Sequence, residues 1–502
     1  MDLQRFFDHW NLSENPFQAE EARNDAVYAR TMEGAITHPD FQKIYGSPDN
    51  PSTSIVFGEK GSGKTAMRLL IERRLTAHNN NRAGEKVWIV RYDDLNPILD
   101  RLVHRIGGRD PARCLEQLRL QDHQDAILSL AVTRLVDDIV EESGDKEQKN
   151  LRKALRRMSR ERRLDLGVLS VLYDQPRHGQ RAERWKRLKG YLRLGHLGTR
   201  RVHALLVLAF GLAALGALGL WRFTESLSWE WQLAGGAAVV GFAGLGIAWL
   251  VRGWRKFFRA RRIHREVRSV EHDRAILREA LWDLPEDQGT LHLIPDHEDQ
   301  DKRYEATQRF LRLLEPLGYK SLVVLVDRVD EPALINSDAQ RMRSLVWPML
   351  NNKFLQQERV GIKMLLPIEL GQLLETETSD FQRQARLDKQ NLVNPLRWTG
   401  ATLYDLCTSR FRSCQREEGG ERIEELKDLF EEEVEHRDLV DALDQMHQPR
   451  DAFKFLYAVI LRHCQNTPGD AEKYKIPRLT LDYVRQEQSQ RVMNLYRGVN
   501  QG

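Results

Sequence analysis

Cysteine is scarce in this chain. Four residues (Cys114, Cys407, Cys414 and Cys464) are spread over 502 positions with no CxxC pair. That spacing argues against a disulfide framework and a zinc ribbon, and makes a reducing compartment the expectation. A cleavable secretory signal is not read either, because the first thirty residues are charged throughout. Solenoid-length repeats, Ser/His/Asp arrangements, nuclease constellations and haem motifs are likewise absent from the sequence. A mean hydropathy of −0.55 with 30% charged residues excludes a polytopic membrane protein, and 41% hydrophobic residues argue against a disordered chain. The length corresponds to roughly two to four domain-sized units.

Long hydrophobic runs are also rare, and the two that exist stand together. Val202–Trp221 and Leu233–Val251 contain no Asp, Glu, Lys or Arg. Their 20 and 19 residues would each reach about 30 Å as helices, the thickness of a bilayer's hydrocarbon core. Basic blocks flank them. Residues 177–201 hold nine Lys/Arg and one Glu, and residues 252–268 hold eight Lys/Arg and one Glu. These blocks carry +15, so a formal net charge of +4 leaves −11 on the remainder. The short link between the runs has one Arg and two Glu. The positive-inside rule therefore predicts a two-pass hairpin with both termini cytoplasmic, as in a bacterial-type inner membrane. Trp221, Trp229 and Trp231 would mark the outer interface, and Trp249 and Trp254 the inner one. Ala209, Ala213 and Ala217, with Ala237 and Gly241, would let the two helices approach closely. Anionic lipid headgroups are the expected partner of the basic flanks. No specific nucleic-acid motif is present.

The clearest chemical motif lies at residues 54–70, SIVFGEKGSGKTAMRLL. A short apolar strand, Ser54–Phe57, precedes a GxxxxGK[ST] loop, and a helical pattern follows. Glycines at 58, 61 and 63 allow backbone N–H groups to turn inward around phosphate oxygens, and the helix N-terminus adds partial positive charge. The phosphate-binding set is Gly58, Glu59, Lys60, Gly61, Ser62, Gly63, Lys64, Thr65 and Ala66. Within it, Lys64 neutralises β- and γ-phosphates and Thr65 offers a hydroxyl to Mg²⁺.

A nucleotide loop needs an acidic partner on a second buried strand. Residues 320–331, KSLVVLVDRVDE, supply one. Leu322–Val326 reads as a central parallel strand covered on both faces. Asp327, at its C-terminal end, is the predicted Mg²⁺ partner. Asp330 and Glu331 are candidates to orient and deprotonate the attacking water, weighed against a role as a helix N-terminal cap. Further strands are predicted at Lys86–Tyr92, Gly361–Pro367 and Asn391–Trp398, the last shortened by its proline. The expected fold class is α/β: a parallel-sheet P-loop NTPase core with a helical insertion, the membrane hairpin and a C-terminal helical lid.

This combination resembles the additional-strand class of P-loop ATPases, which includes the AAA+ and STAND NTPases. The acidic motif is similar to that of the NACHT branch, departing from it at Arg328. Two membrane helices between the glycine loop and the acidic strand resemble the KAP family, whose usual adjacent aspartates are replaced here by DRVDE. The stretch HQPRDAFKFLYAV (447–459) is similar to the lid-helix motif of KAP and AAA+ proteins, which implies that Arg450 is a sensor arginine for the γ-phosphate. ATP, rather than GTP, is also implied by the resemblance, and no NKxD guanine motif occurs. The segment HWNLSENPFQAEEARNDAVYAR (9–30) resembles the lead-in of some secretion- and replication-related AAA+ ATPases, implying that Asn15, Pro16 and Phe17 lie near the adenine. A capped turn with a core phenylalanine reads equally well there.

Residues 112–165 read as a solvated helical subdomain of interleaved charges. Asp296, His297, Glu298 and Asp299 read as an exposed loop rather than a metal site. The acidic run 417–438 reads as a solvated face on a helical tail. Arg410 and Arg412 are candidates to act in trans on a neighbouring subunit's nucleotide, with surface ion pairs as the plainer alternative. The expected organisation runs through a lead-in (1–50), first core part (51–110), helical insertion (111–200), hairpin (201–252), return helix and linker (253–316), second core part (317–402) and lid (403–502). Together these features predict a membrane-anchored, homo-oligomeric cytoplasmic ATPase that uses Mg-ATP as an assembly switch, by analogy in bacterial stress or phage defence. A pore-forming effector and a non-hydrolysing nucleotide-binding scaffold are the alternatives.

Overall fold

The computed structural model describes the chain except residues 19–21, 32–37, 83, 108–110, 142–145, 177–180, 194–204, 206, 210, 217, 218, 220–228, 286–291, 296–300, 417–421, 469, 470 and 500–502. The fold is α/β and mostly helical. Five parallel strands, β1 (Ser54–Gly58), β2 (Lys86–Tyr92), β3 (Tyr319–Val326), β4 (Val360–Pro367) and β5 (Asn391–Val393), form one sheet in the order β2-β3-β4-β1-β5. Every residue of β1 and β4 is buried, as expected of central parallel strands, where both faces are covered and alternation disappears. The register pairs Ser54 with Lys363 and Gly58 with Pro367, and Val56 with Val393 on the other side. The segments following β1, β4 and β5 therefore leave the same edge of the sheet. The fifth strand stops at Val393, well short of the predicted Trp398. Pro395 lacks the N–H needed to continue the ladder.

The chain divides into two compact units, Met1–Asn81 with Val323–Gly502, and Arg82–Leu322. In the first, a helical subdomain accompanies the sheet. Its core joins Phe6, Phe7, Trp10 and Leu12 of the N-terminal segment to Phe411, Leu443, Phe455 and Val459 from the C-terminal helices. Helix Gly400–Cys414 packs so closely on helix His436–Asp444 that a Cβ on Gly400 would collide with the carbonyl oxygen of Val440.

The second unit is helical around Leu120–Val140, Arg160–Tyr173 and Asp301–Leu314. The expected solvated subdomain is corrected here. Helix Leu120–Val140 buries Asp122, His123, Gln124 and Asp125 together with its apolar residues. Distant arginines make this tolerable. Arg303 donates to both Asp125 carboxylate oxygens at 2.9 Å, the Tyr173 hydroxyl adds a third bond at 3.3 Å, and Arg268 Nε donates to Asp122 at 3.0 Å. Residues 296–299 lie outside the described residues.

Helix Trp229–Glu266 contains the second apolar run. Among the described residues, no helix is long and apolar enough to cross a membrane. Of the run Val202–Trp221, residues 202–204, 206, 210, 217, 218, 220 and 221 lie outside the described residues, as do the side chains of 233–236, 238, 239 and 242 in the second run. The fold therefore does not support the predicted hairpin. The side chains that are described are conspicuously exposed for their type: Leu208 62%, Leu215 67%, Val240 73% and Ile247 62%.

Candidate functional site

Strand β1 ends at Gly58, the loop runs to Gly63, and Lys64 opens the helix Lys64–Asn81. Lys64 Nζ donates to the carbonyl oxygens of Gly58 at 2.7 Å and Glu59 at 2.9 Å. Burial lowers the pKa of its ammonium, while the charges of Asp330, Asp327 and Glu369 oppose that shift and Arg450 reinforces it. Lys64 thus lies within the field of three carboxylates and one guanidinium, all of them in the first unit.

Asp327 follows β3 directly and is 1% exposed. Burial raises its pKa. The Arg68 guanidinium, a hydrogen bond from the Thr65 hydroxyl, the Arg328 backbone N–H and Lys64 all hold it down. Arg68 Nε is 3.4 Å from Asp327 Oδ2, and the same arginine reaches Glu72 at 3.0 Å, one helical turn on. Two side-chain oxygens here, Ser62 Oγ and Asp327 Oδ2, are buried without a hydrogen bond. Arg68 offsets the charge of Asp327 without hydrogen-bonding Oδ2, and buried oxygens that lack a hydrogen bond are costly. Ser62 lies three residues before Thr65, whose hydroxyl donates to the Asp327 carboxylate.

The loop is held from several sides. Gly61 adopts φ +106°, and a Cβ there would lie 2.8 Å from Gln448 Oε1 and 3.1 Å from Arg450 Cβ. Gln448 Nε2 donates to the Glu59 carboxylate. The Trp398 indole N–H donates to Ser62 O at 2.8 Å, and the Tyr28 hydroxyl donates to Ala66 O at 2.5 Å. Arg450, in the first turn of helix Pro449–Asn466, therefore abuts the glycine loop.

The acidic pair separates. Arg328 adopts φ +62°, which turns the chain after β3. Glu331 is left 47% exposed and paired with the Arg328 guanidinium, whereas Asp330 is half-buried and is the leading carboxylate acting on Lys64. Lys60 points to solvent.

Other expectations are corrected. Arg410 is 2% exposed, bound to Asp25 at 2.7 Å and to Pro16 O at 2.8 Å, with its guanidinium 4.5 Å over the Phe453 ring. So enclosed, it cannot reach a neighbouring subunit. Arg412 is exposed and donates to Glu424 O at 2.6 Å. Phe17 stacks on Phe453 and meets Phe411 edge-on in the helical core, and Asn15 accepts the Phe17 N–H at 3.0 Å, which is the capped-turn reading.

Glu369, Trp398, Gln448 and Tyr28 were missed from sequence. Only Glu369 left a usable signal there, as an acidic residue just beyond an apolar strand. Among the described residues no group of three or more His, Cys, Asp or Glu is arranged to hold a metal ion. A metal carried by a nucleotide needs fewer protein ligands, since phosphates and waters complete its shell. Thr65 and the under-satisfied Asp327 carboxylate fit that requirement. Comparison with protein-family models, curated proteins and solved structures finds no match in any of the three.

Proposed function

We propose that this protein is a P-loop NTPase of the additional-strand class that binds and hydrolyses Mg-ATP as a conformational switch. The observation that carries the reading is the convergence, at one edge of a parallel sheet, of the Lys64 loop, the Thr65–Asp327 pair, Asp330 and Arg450. Support also comes from β4 lying between β1 and β3, the intervening strand that gives the class its name.

In this reading Lys64 leaves the Gly58 and Glu59 carbonyls and takes phosphate oxygens as acceptors. Thr65 and Asp327 would hold the nucleotide's Mg²⁺, which would supply positive charge against the phosphates. Asp330 orients and deprotonates the attacking water. Arg450, already against Gly61, meets the γ-phosphate side of the loop and transmits its presence to the helical subdomain. Glu369 is a fifth charged group that can respond to the nucleotide.

We further infer membrane anchoring through Val202–Trp221 and Leu233–Val251. The basis is the charge-free runs with their basic flanks, and the exposed leucines, valine and isoleucine that water does not favour. Homo-oligomerisation and lipid contact at the flanks follow from the same reading.

The deciding experiment is steady-state phosphate release by the purified full-length protein with Mg-ATP, beside Lys64→Ala. Turnover that disappears in the variant supports the ATPase. Tight Mg-ATP binding with no turnover at high protein concentration would favour a scaffold instead. A topology reporter at Ser226 tests the anchor, and a cytoplasmic signal there would contradict it.

A further inference from the structure

The second unit contains a pronounced positive concavity among the described residues. Within the second unit, helix Lys146–Arg157, the start of helix Arg160–Tyr173 and helix Asp301–Leu314 enclose a cleft of about 970 Å³. Lys153, Arg157, Arg162, Arg309 and Arg312 line it, against only Glu161 and Asp165 among acidic residues. Five cations facing two carboxylates leave an excess of three positive charges in one hollow. Elsewhere, outside the basic flanks, the chain is strongly acidic.

The five cations are not equivalent. Arg309 is fixed by its own ion pairs, to Asp165 at 2.7 Å and to Glu305 at 2.7 Å. Arg162 is 3.7 Å from Glu315. Lys153, Arg157 and Arg312 are exposed on the rim, Arg312 within the field of the Asp165 carboxylate. A guanidinium offers paired N–H donors in a planar fork that matches phosphate oxygens, and several around one hollow suit several phosphates at once. The mostly polar lining, relieved only by Ala154, Met158 and Pro316, offers little to an apolar ligand. The volume lies within the range of small-molecule pockets. It is a hollow and not an extended basic stripe of the kind that tracks a nucleic-acid backbone.

We propose that this cleft binds a small molecule carrying two or more clustered phosphate groups, at a site separate from the glycine loop. The proposal stands on the second unit alone and does not depend on the ATPase reading. Such chemistry could come from a free polyphosphorylated metabolite or from a phosphorylated lipid headgroup.

Two probes separate these sources. Inositol hexakisphosphate presents the phosphates with no acyl chain and no base, and dioctanoyl phosphatidylinositol bisphosphate presents them on a lipid. Calorimetry on the full-length protein is expected to show saturable, salt-sensitive micromolar binding of inositol hexakisphosphate. The same affinity is expected in Lys64→Ala, because the glycine loop is not the site. Affinity should fall at least tenfold in Arg157→Glu/Arg312→Glu, with circular dichroism and phosphate release from Mg-ATP unchanged. Arg157→Gln/Arg312→Gln should give an intermediate loss, which keeps the test open if the doubly reversed variant fails to fold. Absence of saturable binding, binding that persists in both double variants, or binding abolished by Lys64→Ala would each overturn the site. Binding of the lipid probe alone would overturn the free metabolite as its source.

Discussion

Asp330 and Glu331 are adjacent in sequence, yet the turn at Arg328 sends them into different surroundings, and that difference sets a sharp kinetic expectation. Asp330 is half-buried beside the Lys64 ammonium, where a carboxylate can hold and deprotonate a water. A positioned general base typically contributes ~10²–10⁴ in rate, equivalent to about 3–5 kcal/mol of barrier. Asp330→Asn should therefore lower kcat for Mg-ATP by at least a hundredfold. Binding should survive, because Asp327 and Glu369 still act on Lys64. Glu331 is 47% exposed and its charge is met by Arg328 within one turn. An exposed pair of this kind is worth ~0.2–1 kcal/mol, so Glu331→Gln should change kcat less than about threefold. The assay is steady-state phosphate release at saturating Mg-ATP, paired with equilibrium binding of a fluorescent ATP analogue. Full activity in Asp330→Asn together with a dead Glu331→Gln would refute the reasoning, since the exposed residue would then have to swing inward past its arginine.

Three further outcomes follow from particular contacts. Gly61→Ala combines a positive φ with a Cβ close to Gln448 and Arg450; a cost of ~1–3 kcal/mol should appear as a lower unfolding midpoint together with weakened nucleotide binding, and normal binding at unchanged stability would count against the close lid contact. Asp125→Ala leaves Arg303 charged and buried without its bidentate partner, so denaturant unfolding should show a loss of about 3–5 kcal/mol, with a loss under 1 kcal/mol contradicting the buried pair. Lys363, inside β4 with only Ser52 O and Ser54 Oγ as hydrogen-bond partners, has its pKa pushed down by burial to about 7 from 10.5. Between those values the unfolded chain binds a proton that the folded chain does not, so this residue's penalty is full below pH 7 and lifts as pH rises toward 10. Lys363→Met should consequently outlast wild type in urea by roughly 4 kcal/mol or less near pH 6, and the gap should close by pH 10; a pH-independent gap would show that the lysine is solvated.

Strands β1 to β4 were legible from sequence because a parallel strand buried on both faces leaves a continuous apolar run, and the glycine loop because its chemistry is packed into eight consecutive residues. What escaped was whatever depends on residues far apart in sequence. Trp398 and Gln448 reach the loop from more than 300 residues away, and nothing local to either announces it. Arg303 lies 178 residues from Asp125, so a helix with interleaved charges looked solvated although one face of it is core. Arg410 looked available because it follows the fifth strand closely, whereas the Asp25 carboxylate and the Phe453 ring enclose it. The two acidic residues after β3 could not be ranked without the backbone reversal at Arg328 that points one inward and the other out.

The shared core of the N-terminal segment and the C-terminal helices also has a consequence in time. Phe6, Phe7, Trp10 and Leu12 precede the C-terminal residues that pack on them, from Leu403 onward, by about 390 residues. At ~5–20 residues per second, the interval between them is roughly 20–80 s. Strand β1 waits nearly as long, since its neighbours β4 and β5 start at Val360 and Asn391. The contiguous unit Arg82–Leu322 has no such wait and can fold while the glycine loop is still without a sheet. Throughout that interval these four large hydrophobic residues lack their C-terminal partners, which makes this segment a natural target for chaperone capture. Moving it to the C-terminus by circular permutation should shorten the exposure without altering the finished fold.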